Sequence, residues 1–98
     1  MIGGETFDSK KEADYWLILK AREALGEIER LRRQVPFPLY CPDIHAPNEN
    51  REVSSYVADF VYVDSRMHVV DAKGMRTRTY LLKKKWLELQ CGIVIEEI

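Results

Sequence analysis

Cysteine is scarce in this chain: Cys41 and Cys91 are too few for a disulfide framework and fit a reducing compartment. Together with His45 and His68 they show only a loose metal-like spacing, with no paired C-x-x-C or H-x-x-x-H, so free thiols and surface histidines are expected rather than a zinc site. No hydrophobic run approaches the ~20 residues that span a bilayer, and the N-terminal MIGGETFDSKKEADYW lacks the apolar stretch of a signal peptide. A cytoplasmic protein without a membrane partner is the expectation. Repeats, low-complexity tracts and linkers are absent too, so all 98 residues read as one small domain. A core of that size is only marginally stabilising, which makes a homodimer a reasonable default.

The net charge of -1 gives no sign of a nucleic-acid partner, but the average hides an asymmetry. Between Ala72 and Leu87 acidic residues are missing altogether, while Lys73, Arg76, Arg78, Lys83, Lys84 and Lys85 crowd the same segment. That segment is a positive surface whatever the total.

What is present alternates between helix and strand patterns. Ala13, Leu17, Ala21, Ala24 and Leu25 form an apolar stripe at spacings of three and four, predicting a helix over 10–25 with Ser9 as N-cap and Gly26 as stop. Residues 27–33 could extend it. VPFP can only be extended, so 35–41 reads as an edge strand, and 42–52, with its prolines and asparagines, as an exposed loop. Strands are predicted at 54–63 and 67–73. Thr77 or Thr79 caps a second helix to about Gln90, with Leu82, Trp86 and Leu89 as its buried stripe. Gly92 breaks that helix before a last short strand in GIVIEEI. The class is α/β (α+β), a compact α-β-β-β-α-β core with a mixed sheet.

Asp59, Asp71 and Lys73 sit inside the predicted strands. Asp59 joins the other two on one face only if it opposes one of them across the hairpin. Opposition to Asp71 makes 63 and 67 the last pair, and opposition to Lys73 makes it 64 and 68. Either register leaves a three-residue loop. Two carboxylates placed together repel and lose solvation unless a cation compensates them. Magnesium is the obvious cation, because it takes oxygen ligands and accepts one or two carboxylates with water and phosphate oxygens; the Ala72 carbonyl adds another oxygen. Lys73 could hold a water or stabilise charge on phosphorus. A structural ion pair of Lys73 with either aspartate explains the two strands equally well.

Glu12 in the first helix, Asp59 in ADF and DAKG at 71–74, in that order, resemble the PD-(D/E)XK, restriction-endonuclease-like superfamily. Within it, FDSKKEADYW, GEIERLRRQVPF, YVADFVYV, VVDAKGMRTRTYLLKKKW and IVIEEI are similar to a family of small phage and prophage proteins. The resemblance covers nearly the whole chain. It implies a nuclease-like domain over 1–98, in a bacterial host cytoplasm if phage-encoded, that hydrolyses phosphodiesters with magnesium or with manganese in its place. Asp59 and Asp71 would be metal ligands with Glu12 as a further candidate, and Glu12, Asp59, Asp71 and Lys73 would be the catalytic set. Ala58 stands where the superfamily has proline, and Asp71 where many relatives have glutamate; neither change removes a ligand.

Glu12 has a second reading, because Ser9-Lys10-Lys11-Glu12 is also a capping box. Arg76, Thr77, Arg78, Lys83 and Lys85 are the candidate nucleic-acid contacts, with a solvated basic helix face as the plain alternative for the lysines. Gln34 has no assignable chemistry. Trp16, Trp86, Tyr15 and Tyr80 read as core or dimer contacts. The expected activity is DNA endonuclease, either on four-way and other branched junctions or without regard to structure, with RNA left open as a substrate. The rival is a non-catalytic nucleic-acid-binding accessory protein that keeps the fold.

Overall fold

A hydroxyl one residue ahead of each helix sets where it starts. In the computed structural model, which describes residues 9–72 and 76–98 except for the side chain of Pro47, α1 runs Lys10–Ala24 and α2 runs Arg78–Cys91. Ser9 Oγ accepts the Glu12 N–H, and Thr77 Oγ1 accepts the Tyr80 N–H, both at 3.1 Å. Gly26, at φ +78°, turns the chain out of α1, and Gly92, at φ +66°, ends α2 in the left-handed conformation that a side chain would resist.

Four strands follow the predicted order: β1 Glu29–Asp43, β2 Ala46–Val63, β3 Met67–Asp71 and β4 Glu96–Glu97. The sheet order is β1-β2-β3-β4, antiparallel except for the parallel β3–β4 pair, so the fold is α+β with a mixed sheet. The β2–β3 pairing runs from Phe60↔Val70 to Val63↔Met67, leaving a three-residue turn over 64–66. Asp64 heads that turn, accepting the Arg66 N–H at 3.1 Å. This amide and the His68 ring, 2.9 Å away, hold the Asp64 carboxyl down at about 2.

Two sequence expectations about β1 and β2 need correction. Residues 29–33 are strand rather than a helical extension, because Gly26 breaks the helix and Ile28 is buried against Leu19 and Phe60. The loop expected at 42–52 is a continuation of the ribbon, closed by a turn at Ile44 and His45. Asp43 makes that turn itself, taking the His45 N–H and the Arg51 guanidinium at 2.8 Å each. Pro36, Pro38 and Pro42 are tolerated because β1 is an edge, where a missing N–H breaks no second ladder.

The helical stripes also face differently from their expected directions. On α1 the inward side is Glu12, Ala13, Tyr15, Trp16 and Leu19, so that of the expected stripe Ala13 is buried while Leu17, Ala21, Ala24 and Leu25 lie outward. On α2, Tyr80 and Leu87 are buried, whereas Leu82 and Leu89 are 64% and 73% exposed. Aromatic volume outcompetes aliphatic periodicity in both cases: Tyr15 and Trp16 pack on Phe60, and Tyr80 packs on Tyr56.

The core lies in two layers. Leu19, Ile28, Phe60, Tyr62 and Val70 fill the α1 side of the sheet. Leu39, Tyr56, Ala58, Val61, Val69, Tyr80, Leu87 and Ile95 fill the α2 side. Along β1, Leu31 and Arg33 face α1, yet Val35 and Phe37 pack on the α2 layer; along β2, Phe60 faces α1 and Ala58 the α2 layer. Strand alternation therefore breaks at one step, which is occupied by Gln34 and Asp59.

Candidate active site

Gln34 has φ +53° inside a strand, a left-handed conformation that costs a residue with a Cβ about 1 kcal/mol. Its neighbours pair as Arg33↔Phe60 and Val35↔Ala58, so Gln34 stands across from Asp59. The Gln34 Nε2 amide lies 3.2 Å from Asp59 Oδ1 and 3.2 Å from Glu12 Oε1, donating to both strand and helix carboxylates. Arg33 Nη2 donates to the same Glu12 oxygen at 3.1 Å. The Arg33 guanidinium also stacks 5.9 Å from the Trp16 ring, which fixes its orientation.

Extending the β2–β3 register by one step puts Asp59 opposite Asp71, the first of the two arrangements compatible with the sequence. Regular pairing stops here and side chains take over. The Asp59 N–H donates to Asp71 Oδ1 at 3.1 Å, and the Ala72 N–H donates to Asp59 Oδ2 at 2.8 Å. Asp71 is held from behind by β4, since its carbonyl accepts the Ile98 N–H at 2.9 Å. Glu12, Asp59 and Asp71, exposed by 3%, 5% and 0%, are the buried charged side chains among the described residues. Three elements thus deliver three carboxylates to one seam.

Formally, three negative charges gather there, and the Arg33 guanidinium pairs with one of them, Glu12. Such burial is costly unless every oxygen is engaged and positive charge is close by. In type, the donors suit a hard divalent cation, all being oxygen. They are not an assembled centre: among the described residues no three His, Cys, Asp or Glu side chains group closely enough to share an ion. Gln34 explains part of this, because its amide stands between Glu12 and Asp59. Lys73, the fourth member of the expected set, lies outside the described residues.

Glu12 forms only the hydroxyl half of a capping box with Ser9; its carboxylate points to Arg33 and Gln34. Nothing in the residue types foretold the Gln34 role. It depends on a left-handed strand residue that carries no glycine or asparagine signature.

The candidate phosphate contacts are dispersed. Thr77 is the cap of α2 and Arg78 is exposed beside it. Arg76 Nε bonds Glu97 Oε2 at 3.2 Å, next to the Tyr80 hydroxyl, which donates to the same oxygen at 2.9 Å. Burial and that bond raise the Tyr80 phenol well above its usual range. Lys83 and Lys85, two residues apart on a helix, point about 200° from each other and do not share a face. Lys84 is committed to Glu88 at 2.9 Å.

No helix among the described residues is long and apolar enough to cross a membrane. Among known proteins, no curated protein and no solved structure matches the chain. A family match does exist and spans residues 1–95, so the chain belongs to DUF1064, a family described as a protein of unknown function.

Proposed function

We propose that this protein is a divalent-metal-dependent DNA endonuclease whose reacting centre is the Glu12–Asp59–Asp71 seam. The observation that carries this reading is the convergence of the three buried carboxylates from α1, β2 and β3 on one point where sheet pairing ends. A fold at the size limit for a stable core gains nothing from that arrangement unless the carboxylates are used.

Asp59 and Asp71 are the residues that would hold magnesium or manganese, with Glu12 behind Gln34 as the third oxygen donor. The bound cation would polarise the scissile phosphate and lower the pKa of an attacking water. The chain's own contribution is placement. The Ala72 and Asp59 amides lock the aspartate rotamers, Ile98 fixes the Asp71 backbone, and Arg33 keeps Glu12 pointed at the seam. In this proposal Lys73 supplies the positive charge beside the phosphate, DNA is the partner, and a homodimer brings two such sites to duplex or four-way junction strands.

A second reading has its own support. Arg33 and Gln34 already satisfy Glu12 and one Asp59 oxygen without a metal, as they would in a non-catalytic nucleic-acid-binding protein.

The experiment incubates purified protein with supercoiled plasmid, linear duplex, single strand and a four-way junction, each with magnesium and with a chelator. Asp71→Asn and Lys73→Ala run alongside. Cutting that needs magnesium and disappears in both variants is the expected result. Salt-sensitive binding with no cutting of any substrate sinks the nuclease and leaves the second reading.

A further inference from the structure

Among the described residues of the seam, Gln34 is the exposed one: Glu12, Asp59, Asp71 and Ala72 are buried and Arg33 is half-buried. A single nitrogen, Nε2, nonetheless joins two of the buried carboxylates, giving one proton to Glu12 Oε1 and the other to Asp59 Oδ1 at 3.2 Å each. Both bonds are longer than the roughly 2.8 Å of a strong bond to a carboxylate. The backbone on either side is held by other means, since Arg33 pairs with Phe60 and Val35 with Ala58 across the ribbon. The Gln34 side chain can therefore turn out to water by rotating its own bonds, with no strand moving.

Arg33 is the contrast. It donates to the same Glu12 oxygen at 3.1 Å, but its side chain is 15% exposed and its guanidinium lies on the Trp16 ring, so it stays on Glu12 when Gln34 leaves. Charge points the same way. A lysine at position 34 would neutralise the buried carboxylates permanently and shut a cation out, whereas a glutamine brings two weak donors and no charge. The chain also accepts a left-handed φ of +53° here, where a glycine would sit with less strain but without an amide.

We infer that Gln34 is an exchangeable cap on the seam: its amide holds the place between Glu12 and Asp59 until a divalent cation takes it, and its displacement sets the affinity of the seam for that cation. The inference rests on the proposed function for the identity of the cation. It makes Gln34 a positioning residue that acts through the two carboxylates, with Arg33 as the partner that Glu12 keeps throughout.

The test titrates manganese(II) chloride into the parent protein and into Gln34→Leu without nucleic acid, reading the free aqueous ion by EPR. Gln34→Leu is expected to bind manganese about tenfold more tightly, since the parent must first give up two bonds to charged acceptors. Gln34→Gly, which also relieves the left-handed φ, should show the same gain and guards against a folding defect in Gln34→Leu. Adding Asp71→Asn to Gln34→Leu should abolish the gain, because it changes a seam carboxylate that the Gln34 amide does not bond. In urea, Gln34→Leu should be less stable than the parent in chelator, and the gap should close at saturating manganese. A glutamine that only holds the fold together predicts parent or weaker manganese affinity and the same stability gap with and without metal. Either result overturns the cap and leaves the metal site standing, and so does a gain that survives Asp71→Asn. A tenfold gain with no plasmid cutting by the parent keeps the cap and defeats the nuclease. No manganese on any of these proteins defeats both.

Discussion

The N-termini of α1 and α2 begin alike and end up in opposite chemistry. Each has a hydroxyl N-cap bonded to the amide three residues on. In α1 that third residue is Glu12, whose buried carboxylate is drawn to Arg33 and Gln34. In α2 it is Tyr80, whose hydroxyl turns to Glu97 and leaves the helix end to hydroxyls and Lys83. A cap therefore fixes where a helix starts and says little about what its first turn is for; the residue at the third position and the strand facing it decide.

Breaking that contrast at α1 should have the largest effect. Glu12→Ala takes the Glu12 carboxylate away from the largely buried Arg33 guanidinium and should cost about 3 kcal/mol in urea unfolding, whereas Glu12→Gln, which keeps the shape, should cost less. Equal losses in the two variants would mean that charge rather than packing holds α1 to the ribbon. Next come the caps. Ser9→Ala and Thr77→Ala should each lower stability by about 1 kcal/mol, but only Thr77→Ala should also weaken oligonucleotide binding. Thr79→Glu gives the first turn of α2 an acidic residue, as the first turn of α1 has in Glu12. It should raise stability by about 0.5 kcal/mol through the helix dipole while reducing oligonucleotide affinity, and a rise in both would contradict phosphate contacts at Thr77 and Arg78.

The smallest effect is read in acid. Burial alone would raise the Glu88 carboxyl, but Lys84 and the Ile95 amide outweigh it and hold the group below its ordinary value. Its contribution is therefore complete above the usual glutamate range and is lost as pH falls through the lowered value in the folded state. Thermal melts between neutral pH and pH 3 should show a shallower acid loss in Glu88→Gln than in the parent protein.

Element order and the Ser9 cap were legible in the sequence, because they follow from short-range rules of capping hydroxyls and period-two strands; the Thr77 cap and the Asp59–Asp71 opposition were each one of two arrangements the sequence left open, since Thr79 is also a hydroxyl and a three-residue turn fits two registers. The helix faces were not legible. Leu82 and Leu89 repeat at helical spacing, yet the sheet selected Tyr80 and Leu87, a choice made by the aromatic ring of Tyr56 on a distant strand. The ribbon beyond residue 42 was hidden by its prolines, which an edge strand tolerates. Gln34 was present in the sequence without a role, since its position between two carboxylates depends on one left-handed dihedral and on Asp59, 25 residues away.

The β1–β2 ribbon also has a consequence for the order in which the molecule assembles. Its strands join through the Ile44–His45 turn, and its contacts are nested around that turn, so it can zip outward from the tip without waiting for a distant segment. A hairpin of this kind forms on a timescale of about microseconds. Zipping brings Gln34 to Asp59 late in that process but before either helix must dock. One of the three seam carboxylates is then placed by local pairing, and the other two arrive with β3 and with α1.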